Sequence, residues 1–316
     1  MTRVPSAPTV SIVMPTYCRR EYLFEALDSV MAQTFCAYEL IVGNDGGPEY
    51  IAPVKQRYID DRIVWVDHDA RKGLLGNMLD GFGRARGRFV ATLHDDDRWA
   101  PQFLATLLPH LESDPSVSVA FCDHFIIDEA GRVDRAASDA CSAKWGRDRL
   151  AAGIHRPFDQ LAVIDQSLPV QCAAVFRRDA LDLGQFPQEA GTYYDLWLAR
   201  ELARGGGAAY YVPARLASIR SHPASQTAVG RLENARAGVY LHTRFLADPE
   251  LQHLPRQPLH QKLAECHYGI AVSLIRAGKP VAARRHLRTS LTLHGRPRVG
   301  LAFAASLLPN SITRRL

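Results

Sequence analysis

The six cysteines, at positions 18, 36, 122, 141, 172 and 266, include no C-x-x-C pair and no ladder of regular spacings. That excludes a zinc ribbon and a disulfide scaffold, and it makes a reducing compartment the expectation. Long hydrophobic runs are also missing: the longest, Val299 to Leu308, is about half a membrane span. No basic region followed by a long apolar run opens the chain, so no signal peptide is visible and a cytoplasmic protein is expected. There is no G-x-x-x-x-G-K-[ST], no H-E-x-x-H and no G-x-S-x-G. Gly81-Phe82-Gly83-Arg84-Ala85-Arg86-Gly87 has the glycines of a dinucleotide fingerprint but not their spacing. It also lies after a helical segment and before a strand, the reverse of the order that brings a pyrophosphate to a helix N-terminus.

What is present is ample for burial. Of 316 residues, 47% are hydrophobic and 22% charged, which excludes wholesale disorder and predicts roughly two domains, or one with an extension. The net charge of +5 conceals an asymmetry. From Cys266 to Leu316 there are nine basic residues and no acid, so this tail carries +9 and residues 1–265 carry −4. An acidic body with a basic end does not read as a nucleic-acid-binding protein. The tail is either a solvated helix face or a peripheral contact for an anionic membrane at the inner face, with Arg284, Arg285 and Arg288 as its candidates.

Strand and helix alternate over the first part of the chain. Val10 to Met14, closed by Pro15, reads as a buried strand, and Leu23, Ala26, Leu27, Val30 and Met31 recur at helical spacing. Glu39 to Val42, Ile63 to Val66, Phe89 to Leu93 and Val117 to Phe121 read as further strands. Between them, 74–85 and 104–111 read as helices. The pattern predicts a doubly wound α/β sheet, with ligands at the C-terminal ends of its strands. From about Asp134 to Asp165 it weakens to loop. A strand over Val170 to Phe176, a helix over Asp195 to Ala203 and short closing strands at 210–212 and 217–219 follow. A helical extension over 228–316 completes the chain. Within it, Leu263, His267, Ile270, Ala271 and Leu274, then Gly278, then Ala283, Leu287, Ser290 and Leu291 have the spacing of one tetratricopeptide-like hairpin.

The most acidic local feature is His94-Asp95-Asp96-Asp97 at the end of a predicted strand. Three adjacent carboxylates repel one another, and oxygen-rich sites suit Mg²⁺ or Mn²⁺ bridging to phosphates. The same run also reads as a solvated turn capping the next helix. Asp45 ends another strand beside glycines that permit close approach. A carboxylate there can accept an N–H from a pyrimidine ring, or it can serve an Asx turn. Tyr17, after the first strand, offers a ring for stacking or for packing.

In order along the chain, Ser11-Ile12-Val13-Met14-Pro15-Thr16-Tyr17-Cys18-Arg19-Arg20, Ser29 to Phe35, Glu39-Leu40-Ile41-Val42-Gly43-Asn44-Asp45-Gly46 and the Asp95–Asp97 run resemble the family 2 glycosyltransferases of GT-A fold. The resemblance is clear over 9–125 and weaker to about 227. It implies a GT-A catalytic domain over 1–227 and a nucleotide-diphosphate sugar as donor. By position, Tyr17 and Asp45 match the family's base-contacting aromatic and acid, and Pro15, Arg19 and Lys72 line the same nucleotide wall. Asp95 and Asp96 match the last two positions of the D-x-D motif, which touch ribose and hold the divalent metal (Mg²⁺ or Mn²⁺); Asp97 follows them. Asp195, in Tyr193-Tyr194-Asp195-Leu196-Trp197, resembles the general base, and His222 a downstream histidine that reaches the metal or diphosphate. Asp195 also reads locally as a helix cap.

Three positions depart from the family pattern. His94 replaces the usual first Asp of D-x-D, which leaves the choice of metal open. Asn44 replaces the first acid of the D-D-G-S loop. Gly76 stands where an Arg is frequent, so Arg71 or Lys72 must supply positive charge there. The implied activity is inverting transfer of a sugar from UDP or dTDP, ahead of GDP, to a glycan, lipid-linked or natural-product acceptor. Two rivals are a sugar nucleotidyltransferase, which needs a Gly-rich loop where Pro15-Thr16-Tyr17-Cys18-Arg19 stands, and an inactive GT-A module used for protein interaction.

Overall fold

A computed structural model of the chain describes residues 7–223, 225 and 230–306. The chain divides into two compact units, Met1–Phe186 with Leu198–His222, and Pro187–Trp197 with Pro223–Leu316. The 227/228 boundary expected from the sequence, the end of the 299–308 apolar run, and Arg314 and Arg315 lie outside the described residues.

The first unit is built on β1 (Val10–Thr16), every residue of which is buried. The strand runs past Pro15 because its ladder with the neighbouring strand Phe89–Thr92 has ended by Val13↔Thr92, so the missing N–H costs no bond on that side. Helix α1 (Arg20–Met31) follows and buries Leu23, Ala26, Leu27 and Val30. Then come β2 (Tyr38–Asn44), α2 (Pro48–Arg57), β3 (Ile63–Asp67), α3 (Gly73–Arg84), β4 (Phe89–Thr92), a short β5 (Arg98–Trp99) and α4 (Phe103–Ser113). The next elements are β6 (Val117–Ile127), β7 (Val133–Asp134), α5 (Arg135–Lys144), β8 (Gly153–His155), a π-helical turn at Gln160–Ile164 and β9 (Ala174–Arg177). Helix α6 (Tyr194–Ala203), which belongs to this unit from Leu198 on, precedes the long β10 (Ala208–Arg220), the last strand of the sheet.

The strands lie in the order β3-β2-β1-β4-β9-β6-β10-β5, with β7 beside β6 and β8 beside β10. The β3–β2–β1–β4 half is parallel, as βαβ crossovers require, and β9 enters antiparallel to both β4 and β6. One apolar cluster runs from Val10, Ile12 and Met14 through Leu40, Leu104 and Leu107 to Ala217. The mixed α/β sheet expected from the alternation is therefore the observed fold.

The differences have physical causes. Helix α5 falls in the stretch read as loop, because the inward positions that bury are Ser138 and Ser142 and leave no apolar periodicity. The two short closing strands are one strand, β10, interrupted by register shifts at Val212/Arg215 and Arg215/Ala217 around Pro213.

The second unit is helical: α7 (Arg231–Ala247), α8 (Arg256–Arg276), α9 (Pro280–Leu293) and α10 (Pro297–Ala305). Gly278 turns the α8–α9 hairpin with a φ of +72°, a conformation that favours glycine. Its core joins Ala271, Ala283, Leu287 and Val299. The Pro187–Trp197 segment belongs to this unit, where Trp197 stacks on Phe245 with ring centroids 6.3 Å apart.

Candidate functional site

In the first unit the strand order reverses between β1 and β4, the switch point where open α/β sheets bind ligands. The loop leaving β1 links the acids on either side of it. Asp45 N donates to Thr16 O at 3.0 Å, while Thr16 Oγ1 and Tyr17 N donate to Asp95 Oδ2 at 2.7 and 3.1 Å. Cys18 then turns the chain with a φ of +55°, a left-handed conformation uncommon outside glycine and concentrated at functional sites. The hydroxyl of Tyr50, from α2, pins this loop by bonding Thr16 Oγ1 at 2.6 Å and accepting from Arg19 N at 3.1 Å. Gly46 is obligatory here, since a Cβ would sit 2.5 Å from the Tyr50 ring.

At the end of β2, Asp45 is held by N–H donors. Oδ1 meets His68 Nδ1 at 2.7 Å and accepts from Lys72 N at 3.2 Å; Oδ2 accepts from Gly73 N, at the start of α3, at 2.8 Å. The Asx turn belongs instead to its neighbour. Asn44 Oδ1 accepts from Gly46 N at 2.9 Å, and its Nδ2 donates to Gly47 O and to Asp67 Oδ1. This accounts for the departure at position 44: an Asp could not donate and would set a second charge beside Asp67. Tyr17 is 43% exposed, and the Arg71 guanidinium lies 3.9 Å above its ring centre. Lys72 turns its ammonium to Asp80 at 2.8 Å, so of the two cations near Gly76, Arg71 is the one at the ring.

At the end of β4, Asp95, Asp96 and Asp97 are all buried. Arg19 Nη1 meets Asp96 Oδ2 at 2.6 Å and Asp95 Oδ1 at 3.4 Å, and His222 Nε2 reaches the same Asp96 oxygen at 3.0 Å. Burial opposes the charge on Asp96, yet His94, Arg19 and His222 hold its carboxyl below the ordinary value. Burial and then the Asp96 charge push Asp95 and Asp97 upward. One ligand atom each from His94, Asp96 and Asp97 lies within 4.8 Å of the others. Two carboxylates and an imidazole are a donor set suited to a divalent ion of the Mn²⁺ type, and the excess of buried negative charge favours one. The residues therefore fit a metal, with His94 in the group and His222 bonded to Asp96.

Arg220 organises this loop from the end of β10, and no local sequence pattern marks its role. Its N donates to Asp97 Oδ1 and its Nε to Asp96 O, both at 2.9 Å, while Nη2 meets Glu25 Oε2 at 2.7 Å. His68 is a second residue without a signal: its ring is clamped between Asp45 and Asp80. Pro15, Tyr17, Arg19, Asp45, Lys72, Asp95, Asp96, Asp97 and His222 all belong to the first unit. Asp195 lies in the second, in the first turn of α6, where its Oδ1 accepts from Leu196 N at 2.9 Å. Desolvation raises its carboxyl to about 6.

A doubly wound sheet with a basic residue, an aromatic ring and an acid cluster at its switch point is an arrangement found in the GT-A fold. The sequence pattern of Glycosyl transferase family 2 matches residues 11–184, more than half of the chain, and the protein belongs to that family. It is 34% identical over 104 residues to a GalNAc(5)-diNAcBac-PP-undecaprenol beta-1,3-glucosyltransferase of Campylobacter jejuni. That match covers 32% of this chain and 34% of the relative, so the chain spans about a third of the relative's length. Among solved structures, S. aureus TarS 1-349 in complex with UDP-GlcNAc has a TM-score of 0.66 at 13% identity, covering 97% of this chain and 92% of that one. Mannosyltransferase PcManGT from Pyrobaculum calidifontis, in complex with GDP-Man and Mn²⁺, has a TM-score of 0.59 at 19% identity, covering 98% and 88%. At those identities the likeness shows the GT-A fold.

Proposed function

We propose that the protein is an inverting glycosyltransferase that uses a nucleotide-diphosphate sugar, with 1–227 as its catalytic domain and 228–316 as a helical extension. The observation that carries this reading is the pair of acidic stations at the ends of β2 and β4, tied to the β1 loop between them. Asp45 has three of its roughly four acceptor directions filled by protein N–H groups, and the remaining one takes the ring N–H of uracil or thymine. Tyr17, shared with Arg71, stacks on the base against the wall formed by Pro15. Arg19 adds positive charge toward the diphosphate, Lys72 backs the nucleotide wall with its ammonium held by Asp80, and Asp95 meets the ribose. Asp96 and Asp97, with His94 and His222 beside them, hold a divalent ion that supplies charge stabilisation for the departing diphosphate.

Asp195 takes the proton of the acceptor nucleophile, and attack from the face opposite the leaving group inverts the anomeric carbon. A carboxyl raised to about 6 is a stronger base than an exposed one and is still ionised at neutral pH. The donor class is UDP or dTDP ahead of GDP, and the acceptor a glycan, a lipid-linked saccharide or a natural product. The relatives' own names support a nucleotide-sugar donor: UDP-GlcNAc is bound by TarS and GDP-Man by PcManGT.

The test is Asp195→Asn assayed for donor turnover, with donor binding followed by thermal shift. Turnover is expected to fall by roughly 10²-fold or more with binding retained. In the parent protein, turnover should rise with pH through about 6 and level above it, because the ionised form is the base. Turnover of Asp195→Asn equal to the parent would remove Asp195 from this role. Failure of every nucleoside diphosphate to shift the melting midpoint, with or without Mn²⁺, would leave the fold as an inactive module.

A further inference from the structure

The helical unit carries a charged surface to which the proposed function assigns no role. Helix α9 turns Ala283, Leu287 and Ser290 inward, and Ser290 Oγ donates to Ala264 O at 2.8 Å. The opposite side, at helical spacing, exposes Val281, Arg285, Arg288 and Thr292. Val281 is 71% exposed, and on α10 Leu301 is 72% exposed. Arg288 joins the two helices, its guanidinium lying 5.7 Å from the centre of the Phe303 ring. Acid to neutralise this surface is scarce. Glu265 is the last acidic residue of the chain, and it is engaged by Arg296 at 2.8 Å.

We propose that the exposed face of α9, with Leu301 of α10, docks on an anionic lipid bilayer. The charge is of one sign and uncompensated within its own segment, which complements acidic headgroups. The exposed apolar residues argue for a bilayer over a nucleic acid, since Val281 and Leu301 have somewhere to insert at the headgroup–acyl boundary. A surface for single-stranded nucleic acid would instead present exposed aromatic rings for stacking bases. Of the large hydrophobic side chains exposed in the described part of this unit, Val281 and Leu301, neither is aromatic. The contact is electrostatic and reversible, because two exposed apolar side chains supply little insertion area.

The test is co-sedimentation of the full chain with phosphatidylcholine vesicles containing none or about 30% phosphatidylglycerol, at low and high salt. Binding is expected to the anionic vesicles at low salt, with release at high salt and none to phosphatidylcholine alone. Arg285→Glu with Arg288→Glu should weaken it by about tenfold or more, with the UDP-induced shift unchanged and the melting midpoint lowered only by the lost Arg288–Phe303 contact. Arg285→Gln with Arg288→Gln serves as the milder pair should the reversed charges disturb folding, and a smaller loss in the same direction is expected. Leu301→Ser should give a partial loss. Absence of binding to the anionic vesicles at low salt would overturn the proposal. So would binding indifferent to both arginine pairs, or equally tight capture by duplex DNA, which would make the face a general polyanion surface.

Discussion

The ends of β2 and β4 flank the same β1 loop, and each places a carboxylate at the sheet's edge. They are completed in opposite ways. Asp45 is satisfied from within: a histidine ring and two backbone N–H groups, one of them opening α3, occupy its oxygens. Asp95, Asp96 and Asp97 are buried together, with Arg19 and Arg220 as nearby cations, and burial drives two of the three carboxyls toward the protonated form. A carboxylate already filled by fixed N–H donors is a reader of shape, presenting one fixed acceptor. A cluster short of positive charge is a receiver, and the missing charge must come with the ligand. On the proposed function, recognition and chemistry are then separated along the sheet by how each acid is neutralised.

The largest effect should come from emptying the receiver. Asp96→Ala removes the oxygen shared by Arg19 and His222, and turnover is expected to fall on the order of 10³-fold. The Mn²⁺-dependent part of the thermal shift by UDP should vanish, while the shift by uridine alone should survive, because Asp45 is untouched. Stability should be largely kept, since loss of the central charge relieves Asp95 and Asp97. If uridine binding disappears as well, the two stations are one network and the separation fails.

A smaller effect, with a sharper signature, is expected at the reader. Asp45→Asn replaces an acceptor by a donor and sets it against the Gly73 N–H. UDP should bind roughly tenfold more weakly, the size expected for one hydrogen bond to a charged group. The informative quantity is the ratio of UDP to CDP affinity, measured by calorimetry. Cytosine carries an acceptor where uracil carries the N–H, so the ratio should shrink in the variant. A merely structural role for Asp45 would weaken both nucleotides equally.

How much of this was legible follows from what each residue does. Strands β1, β2 and β4 are readable because they are buried on both faces and so are mostly apolar, as in Val10 to Met14, where Ser11 is the one polar residue. The acids at their ends stood out because a charge directly after such a run is locally costly. Helix α5 was invisible because serines, not leucines, face inward. His68 and Arg220 were hidden for a different reason. Their importance lies entirely in partners far along the chain: Asp45 is 23 residues from His68, and Asp97 is 123 residues from Arg220. No local pattern encodes such a pairing. His94 departs from a carboxylate motif in the sequence, and the geometry returns it to the cluster as a third donor beside Asp96 and Asp97. Spacing alone gives no way to see that an imidazole at that position points the same way as the acids.

The smallest effect tests whether the reader is prebuilt. Asn44 touches no proposed ligand group; it closes the turn behind Asp45 by accepting from Gly46 N and donating to Gly47 O and Asp67 Oδ1. Asn44→Asp keeps the acceptor and loses the donor. It also brings a second carboxylate against Asp67, whose own carboxyl is held low by the Lys55 and Asn44 hydrogen bonds against the cost of burial. The expected cost is about 1 kcal/mol, limited by the exposure of Asp67, and it should appear as a lower melting midpoint at pH 7. Because the added repulsion requires both acids ionised, the deficit should shrink as the pH falls below the ordinary carboxylate range. Affinity for UDP should fall only as far as the turn loosens, by less than in Asp45→Asn, and the UDP to CDP ratio should hold. A ratio that changed at position 44 would mean the base is read by the whole turn. Asp45 would then be one contact in a flexible loop, and the contrast between a prebuilt reader and an open receiver would no longer describe the site.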